Sequence, residues 1–89
     1  MTRSVGLDPA PARALDELWG RDPVLADAVE EALDWIEADP VDPRATRRRF
    51  SNGIWVIAVR RGDQAWTILW EEPAPGHPVV RHIAETTSI

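Results

Sequence analysis

Two short apolar runs joined by a polar turn, at residues 54–71, restrict the possible folds of this chain more than any other feature. Each run is rich in β-branched and aromatic residues and is bounded by turn formers, which predicts a β-hairpin. A two-residue turn at Gly62-Asp63 and a four-residue loop over residues 61–64 predict the same register. In that register Trp55 lies opposite Trp70.

The two faces of this hairpin differ in character, because successive side chains of a strand alternate between faces. One face carries six large apolar residues: Trp55, Ile57, Val59, Trp66, Ile68 and Trp70. A small protein must cover such a face, so we predict that it is core. The other face is smaller and mixed, and we expect it to stay open to a partner or substrate: Ile54, Val56, Ala58, Arg60, Ala65, Thr67, Leu69 and Glu71.

The N-terminal half predicts a short edge strand and a first helix. Weak alternation over residues 2–7 is typical of a short strand. Asp8-Pro9 then supplies an N-cap and a proline at the first helical position. The helix is predicted over residues 9–19, with Gly20 as its stop. Its inward side is predicted to carry Leu15, Leu18 and Trp19.

A second helix is predicted to follow at once, after the same start signal at Asp22-Pro23. Its apolar residues recur at helical spacing and form one stripe: Leu25, Ala28, Val29, Ala32, Leu33 and Ile36. Asp39-Pro40 should end it, because the residue before a proline is disfavoured in the helical region. The short connection predicts a helical hairpin.

Further strands are predicted on both sides of the central hairpin. Asn52-Gly53 predicts a tight turn that pairs Phe50 with Trp55 and Arg49 with Val56. Arg47 and Arg49 would then join Arg60 on the open face. Residues 73–78 are rich in proline and predict a loop, and residues 79–84 predict a last strand.

The predicted fold is therefore α+β, a single domain over residues 1–89 with element order (β)ααββββ. The helical hairpin should pack on one face of a twisted, three- to four-stranded antiparallel sheet.

Composition excludes several classes of protein. The 89 residues include no cysteine, so a disulfide framework and a thiolate metal site are both excluded. With no long apolar run and no signal-like start, we expect a soluble, cytoplasmic protein without membrane contact. The net charge of −5 is unevenly spread. Residues 1–43 hold three arginines against eleven acidic residues, whereas residues 44–89 hold seven arginines against four.

Four segments, spread over nearly the whole chain, together resemble one family. They are VGLDPAPARALDEL at residues 5–18, ALDWIEADP at 32–40, RRRFSNGIW at 47–55 and VVRH at 79–82. In this order they are similar to the RelE/ParE superfamily, the small toxins of type II toxin–antitoxin pairs. The resemblance implies an α+β fold and a cognate antitoxin protein as partner. It also implies a cellular target, either messenger RNA on the ribosome or, as in the ParE branch, a replication target such as DNA gyrase.

The family's ribonucleases carry outward arginines or lysines on the central strands and a late tyrosine or histidine. The chain departs from this pattern, because Val56, Ala58 and Thr67 fill the outward positions and tyrosine is absent. The resemblance leaves as catalytic candidates Arg60, Arg81 and His82. RNA- or partner-binding candidates are Arg47, Arg49, Val56 and Leu69. Arg81 and His82 are chain neighbours, so both can serve one site only if the strand twists, bulges or ends there, which Pro78 makes credible.

Other chemistry has little support. His77 and His82 have poor spacing for a metal site, and no glycine loop would cradle a phosphate cofactor. We therefore expect neither a metal nor a cofactor. Trp66 and Trp70 could stack on bases, but their alternation with Ile68 is typical of core.

Three functions remain open. The first is a growth-inhibiting toxin with degenerate catalytic residues, neutralised by its antitoxin. The second is an active ribosome-dependent endoribonuclease, an mRNA interferase. The third is a non-toxic interaction module on the same scaffold.

Overall fold

A computed structural model describes residues 5–38, 48–49 and 52–86 of the chain. Within these ranges the helices are α1 (Pro9–Arg21) and α2 (Pro23–Ala38). The strands are β1 (Gly6–Leu7), β2 (Arg48–Arg49), β3 (Trp55–Arg61), β4 (Gln64–Ala74) and β5 (His77–Glu85). They form one sheet in the order β1-β5-β4-β3-β2. The predicted α+β class and element order are confirmed.

The register of the central hairpin is as predicted. Trp55 lies opposite Trp70, and the pairing continues to Arg61 and Gln64 around a two-residue turn. Gly62 in that turn has φ +59°, a value that favours glycine. The tryptophan face is covered by the two helices, whose buried residues include Leu15, Leu18, Leu25, Val29, Leu33 and Ile36. Of the six predicted core residues only Trp55 remains half-buried, and it still packs against this core.

The sheet is antiparallel from β2 to β5, as predicted, but β1 adds a parallel edge. Gly6 pairs with Val79 and Leu7 with Val80. Short alternation in a sequence contains no information on which strand will be the partner or in which direction. The parallel pairing places the start of α1 beside the middle of β5.

The first helix is longer than predicted. Gly20 does not stop it; α1 continues to Arg21, and Asp22 alone connects the helices. Asp22 leaves the helical region, with φ −148° and ψ 84°, because Pro23 follows it. Its carboxylate Oδ1 accepts the Leu25 N–H at 3.1 Å and so caps α2. Trp19 is 41% exposed rather than inward, since it lies about 100° around the helix from buried Leu18.

The second helix agrees with its prediction. It begins at Pro23, ends at Ala38, and buries the whole predicted stripe. The Asp39-Pro40 stop itself lies outside the described residues.

The predicted pairing of β2 is wrong by one residue. Arg48 pairs with Val56, and Arg49 pairs with Trp55. The predicted turn needs positive φ at both central residues, but only Gly53 has it, at +89°. The Asn52 side chain instead accepts the N–H of Ile54 at 3.2 Å, which closes a different local turn.

The slip moves Arg49 to the tryptophan side of the sheet, since a one-residue shift exchanges the faces. The prediction that Arg49 joins Arg60 on the open face is therefore wrong. Arg47 and Phe50 lie outside the described residues.

Residues 73–78 are also more regular than predicted. β4 runs to Ala74 and β5 starts at His77, so the connection is only Pro75 and Gly76. The register shifts between Glu71 and Ala74, and Pro73 lies within this irregular stretch. A proline is tolerated where the regular pairing is interrupted, because its missing N–H is not needed there.

Truncating the centre of the core should destabilise the domain. Ile68 is 0% exposed, and Ile68→Ala should lower the free energy of unfolding by about 2–5 kcal/mol. Urea denaturation followed by tryptophan fluorescence measures this. Val24→Ala is the control, because Val24 is 66% exposed and its truncation should cost less than about 0.5 kcal/mol. Equal losses for the two variants would contradict this packing.

Candidate functional site

A β-bulge in β5 brings two of the candidate residues together. Leu69 pairs with His82, whereas the next residue, Trp70, pairs with Val80. Arg81 is thus an extra residue on β5, and Arg81 and His82 together oppose Leu69. Both are exposed, while Val80 is buried. The bulge meets the condition under which these chain neighbours can serve one site.

Arg81 is held by two carboxylates. Its Nη1 donates to Asp8 Oδ1 and Oδ2, each at 3.2 Å, and its Nη2 donates to Glu71 Oε1 at 3.4 Å. The hydrogen bond with Asp8 is the main cause that raises the pKa of Arg81, against partial desolvation, and Glu71 adds to it. The guanidinium is therefore charged but already neutralised. A phosphate that binds it would meet two carboxylates that are already bound to it.

Asp8 was predicted as the N-cap of α1, and the structure gives its side chain another role. It occupies the N-cap position but makes no capping hydrogen bond with its side chain. The parallel pairing of Leu7 with Val80 brings Asp8 beside Arg81. No local sequence signal could identify Asp8 and Glu71 as partners of Arg81, because their proximity depends on the direction of β1 and on the bulge.

His82 faces an apolar row. Its cross-strand neighbour on β4 is Leu69, whose own neighbour on β3 is Val56. Within the described part of the chain, no side chain forms a hydrogen bond with the imidazole. A general acid or base needs a group that orients it beside the reacting atom. The neighbours of His82 on the sheet do not supply one.

Arg60 lies far from the bulge. It pairs with Ala65 near the hairpin turn, four residues along β3 from Val56. β4 separates β3 from β5. The usual rise along a strand and the usual spacing between strands therefore put the Cα atom of Arg60 about 16 Å from the Cα atom of His82. The structure brings Arg81 and His82 together but does not bring Arg60 to them.

The candidate residues for RNA or partner binding also lie in different places. Val56 was expected to be open, but it is only 8% exposed. Its neighbours across the sheet are Arg48 of β2 and Leu69 of β4. Leu69 is half-buried and Ala58 is exposed on the same face. Arg49 lies on the other side, with Cζ 4.8 Å from the centre of the Trp55 ring. Of the binding candidates, Val56, Leu69 and Arg49 thus do not form one surface, and Arg47 lies outside the described residues.

The described residues contain no group of three acidic or histidine side chains arranged to hold a metal ion. His77 is exposed at the start of β5. Neither described helix combines the length and apolar character needed to cross a lipid bilayer. Comparisons with protein-family models, curated proteins and solved structures found no significant match.

A charge at Val56 should damage the fold itself. Val56→Glu buries a carboxylate without a partner, which is costly, so the melting temperature should fall by several degrees or more. Ala58→Glu is the matched control, because Ala58 lies on the same face of the same strand but is exposed. Thermal unfolding followed by circular dichroism compares the two. If both variants melt like the wild type, Val56 is accessible and the buried assignment is wrong.

Proposed function

We propose that the chain is the toxin of a RelE/ParE-like toxin–antitoxin pair, and that it inhibits growth by binding its target rather than by cutting RNA. A cognate antitoxin neutralises it. The proposal combines the family-like segments of the sequence with a fold that has the implied α+β class and element order.

The observation that supports binding over cleavage is the state of Arg81. A ribonuclease must stabilise the charge that develops on one phosphate with several preorganised donors. Arg81 is engaged by Asp8 and Glu71, and Arg60 is about 16 Å from His82. The Thr67 hydroxyl is hydrogen-bonded to that of Thr86. The described residues therefore offer no cluster of free donors around one point.

The ribonuclease alternative has one observation in its favour, the bulge that makes Arg81 and His82 neighbours on one face. It requires the carboxylates to release Arg81 when RNA binds. The excess of acidic residues in the first half of the chain further disfavours a nucleic-acid target, whose affinity depends on neutralising phosphates. A replication protein such as gyrase is the better kind of target.

Expression of the chain from a tightly repressed promoter should arrest bacterial growth. The matched control is Ile68→Asp, which places a charge in the core and should abolish both folding and arrest. Colony counts after induction, with immunoblots of the soluble fraction, give the result. Normal growth with abundant soluble wild-type protein would favour the non-toxic interaction module.

Purified protein added to translating ribosomes should leave the message intact. Primer extension on that message detects any site-specific cut. If cuts occur and Arg81→Ala reduces them at least about a hundredfold, the binding mechanism is wrong, because losing a catalytic donor has an effect of that size. His82→Gln then tests whether the imidazole moves protons.

A further inference from the structure

We propose that Arg49 is a preorganised carboxylate-binding site, used by an acidic segment of a partner protein that docks at the β2 edge of the sheet. This inference rests on the proposed function in expecting a protein partner, and it adds the chemistry and the place of contact. The place differs from the open face.

The Arg49 guanidinium is the outer member of a stack rooted in the core. Its Cζ lies 4.8 Å from the centre of the Trp55 ring. Trp55 in turn stacks on Trp70, with ring centres 6.2 Å apart and planes inclined by 25°. Trp70 is 1% exposed. The platform under Arg49 is therefore rigid, and cation–π attraction holds the guanidinium on it.

The turn at Gly53 lies close to the Arg49 guanidinium. A Cβ at this position would lie 3.3 Å from Arg49 Nη2, which is a tight contact. Gly53 also has φ +89°, which by itself favours glycine in this turn. The turn and the ring lie on two sides of the guanidinium and restrict its positions before any ligand arrives.

Cation–π attraction acts through the charge of the guanidinium, and within the described ranges no hydrogen bond occupies its N–H donors. Arg49 is exposed. Within the described ranges, no carboxylate lies at ion-pair distance from it, whereas Arg81 has two. Arg49 thus presents a charged fork of donors whose natural ligand is a planar oxyanion.

Arg60 and Arg61 lack this preparation. Both are exposed, and within the described ranges no ring or ion pair holds either of them. A mobile arginine loses side-chain entropy when it binds, and a stacked one has already lost much of it. Arg49 should therefore contribute more to binding than its charge alone.

The protein's charge selects a carboxylate over a polyphosphate. The helices present exposed acids such as Asp16, Asp27 and Glu31, and the whole chain carries −5. Arg49 is a planar cation whose donors match the two oxygens of one carboxylate, whereas nucleic-acid binding depends on neutralising many phosphates, which the net charge of −5 opposes. An acidic protein segment is the better ligand.

The test is a titration of the ¹⁵N-labelled full chain with a short peptide of alternating glutamate and alanine, followed by NMR. The Arg49 Nε–H and Trp55 indole N–H signals should shift. Arg49→Gln should weaken the peptide's affinity about tenfold or more, as expected for a charge-assisted hydrogen-bonded pair. Arg49→Lys, which keeps the charge but loses the fork, should weaken it nearly as much.

Arg61→Gln is the matched control and should weaken binding less than about twofold, because an exposed charge contributes little. The near-ultraviolet circular dichroism of the tryptophan stack checks that each variant is folded. The inference is overturned if the peptide does not bind, if Arg49→Lys binds like the wild type, or if Arg61→Gln weakens binding as much as Arg49→Gln. It is also overturned if a single-stranded RNA displaces the peptide from Arg49.

This result is independent of the growth assay. Binding at Arg49 in a chain whose expression is harmless would refute the toxin proposal and leave the carboxylate site intact. Growth arrest without peptide binding at Arg49 would refute the carboxylate site and leave the toxin proposal intact.

Discussion

The burial of one face of the β3–β4 hairpin is the constraint on which the rest of the structure depends. Trp66, Ile68 and Trp70 are almost completely buried on that face, and their removal from water is the largest favourable contribution the central hairpin can make. The two helices cover them, because each has a single apolar stripe and Asp22 alone connects them. The layered α+β arrangement follows from this requirement.

The same constraint separates the charges of the protein. Helices that use one stripe for the core turn their acidic residues to solvent, so the helical layer is negative on its outer surface. The arginines of the second half that the structure describes lie on strands of the sheet: Arg48, Arg49, Arg60, Arg61 and Arg81. A binding partner therefore meets different electrostatic surfaces on the two sides, and this polarity gives orientation to an encounter.

The sequence predicted well wherever one local pattern determined the structure. The Trp55–Trp70 register follows from alternation plus a two-residue turn, and the start of α2 follows from the Asp22-Pro23 signal. Predictions failed where two local signals competed. Gly20 looked like a helix stop, but Pro23 set the end instead; Asn52-Gly53 looked like a two-residue turn, but the Asn52 side chain closed another one.

The candidate site was less predictable than the fold because it depends on contacts distant in sequence. The resemblance at residues 79–82 pointed to Arg81 and His82, and a bulge was one of the conditions under which both could serve one site. The carboxylates around Arg81 could not be named. Asp8 is 73 residues away in the chain and reaches Arg81 only because β1 runs parallel to β5. Similarly, the position of Arg49 on Trp55 depends on a one-residue shift in β2.

Arg81 and Arg49 differ in the groups that hold their guanidinium. At the bulge, the extra residue creates the proximity that catalysis would need, but Asp8 and Glu71 neutralise the cation it presents. At the β2 edge, the Trp55 ring lies under a guanidinium, and no carboxylate of the described residues pairs with it. A carboxylate that pairs with an arginine removes its capacity for an anion, whereas a ring that stacks on it preserves that capacity. Of these two arginines, the one held by an aromatic ring therefore lies at the edge of the sheet, and the one neutralised by carboxylates lies at the bulge.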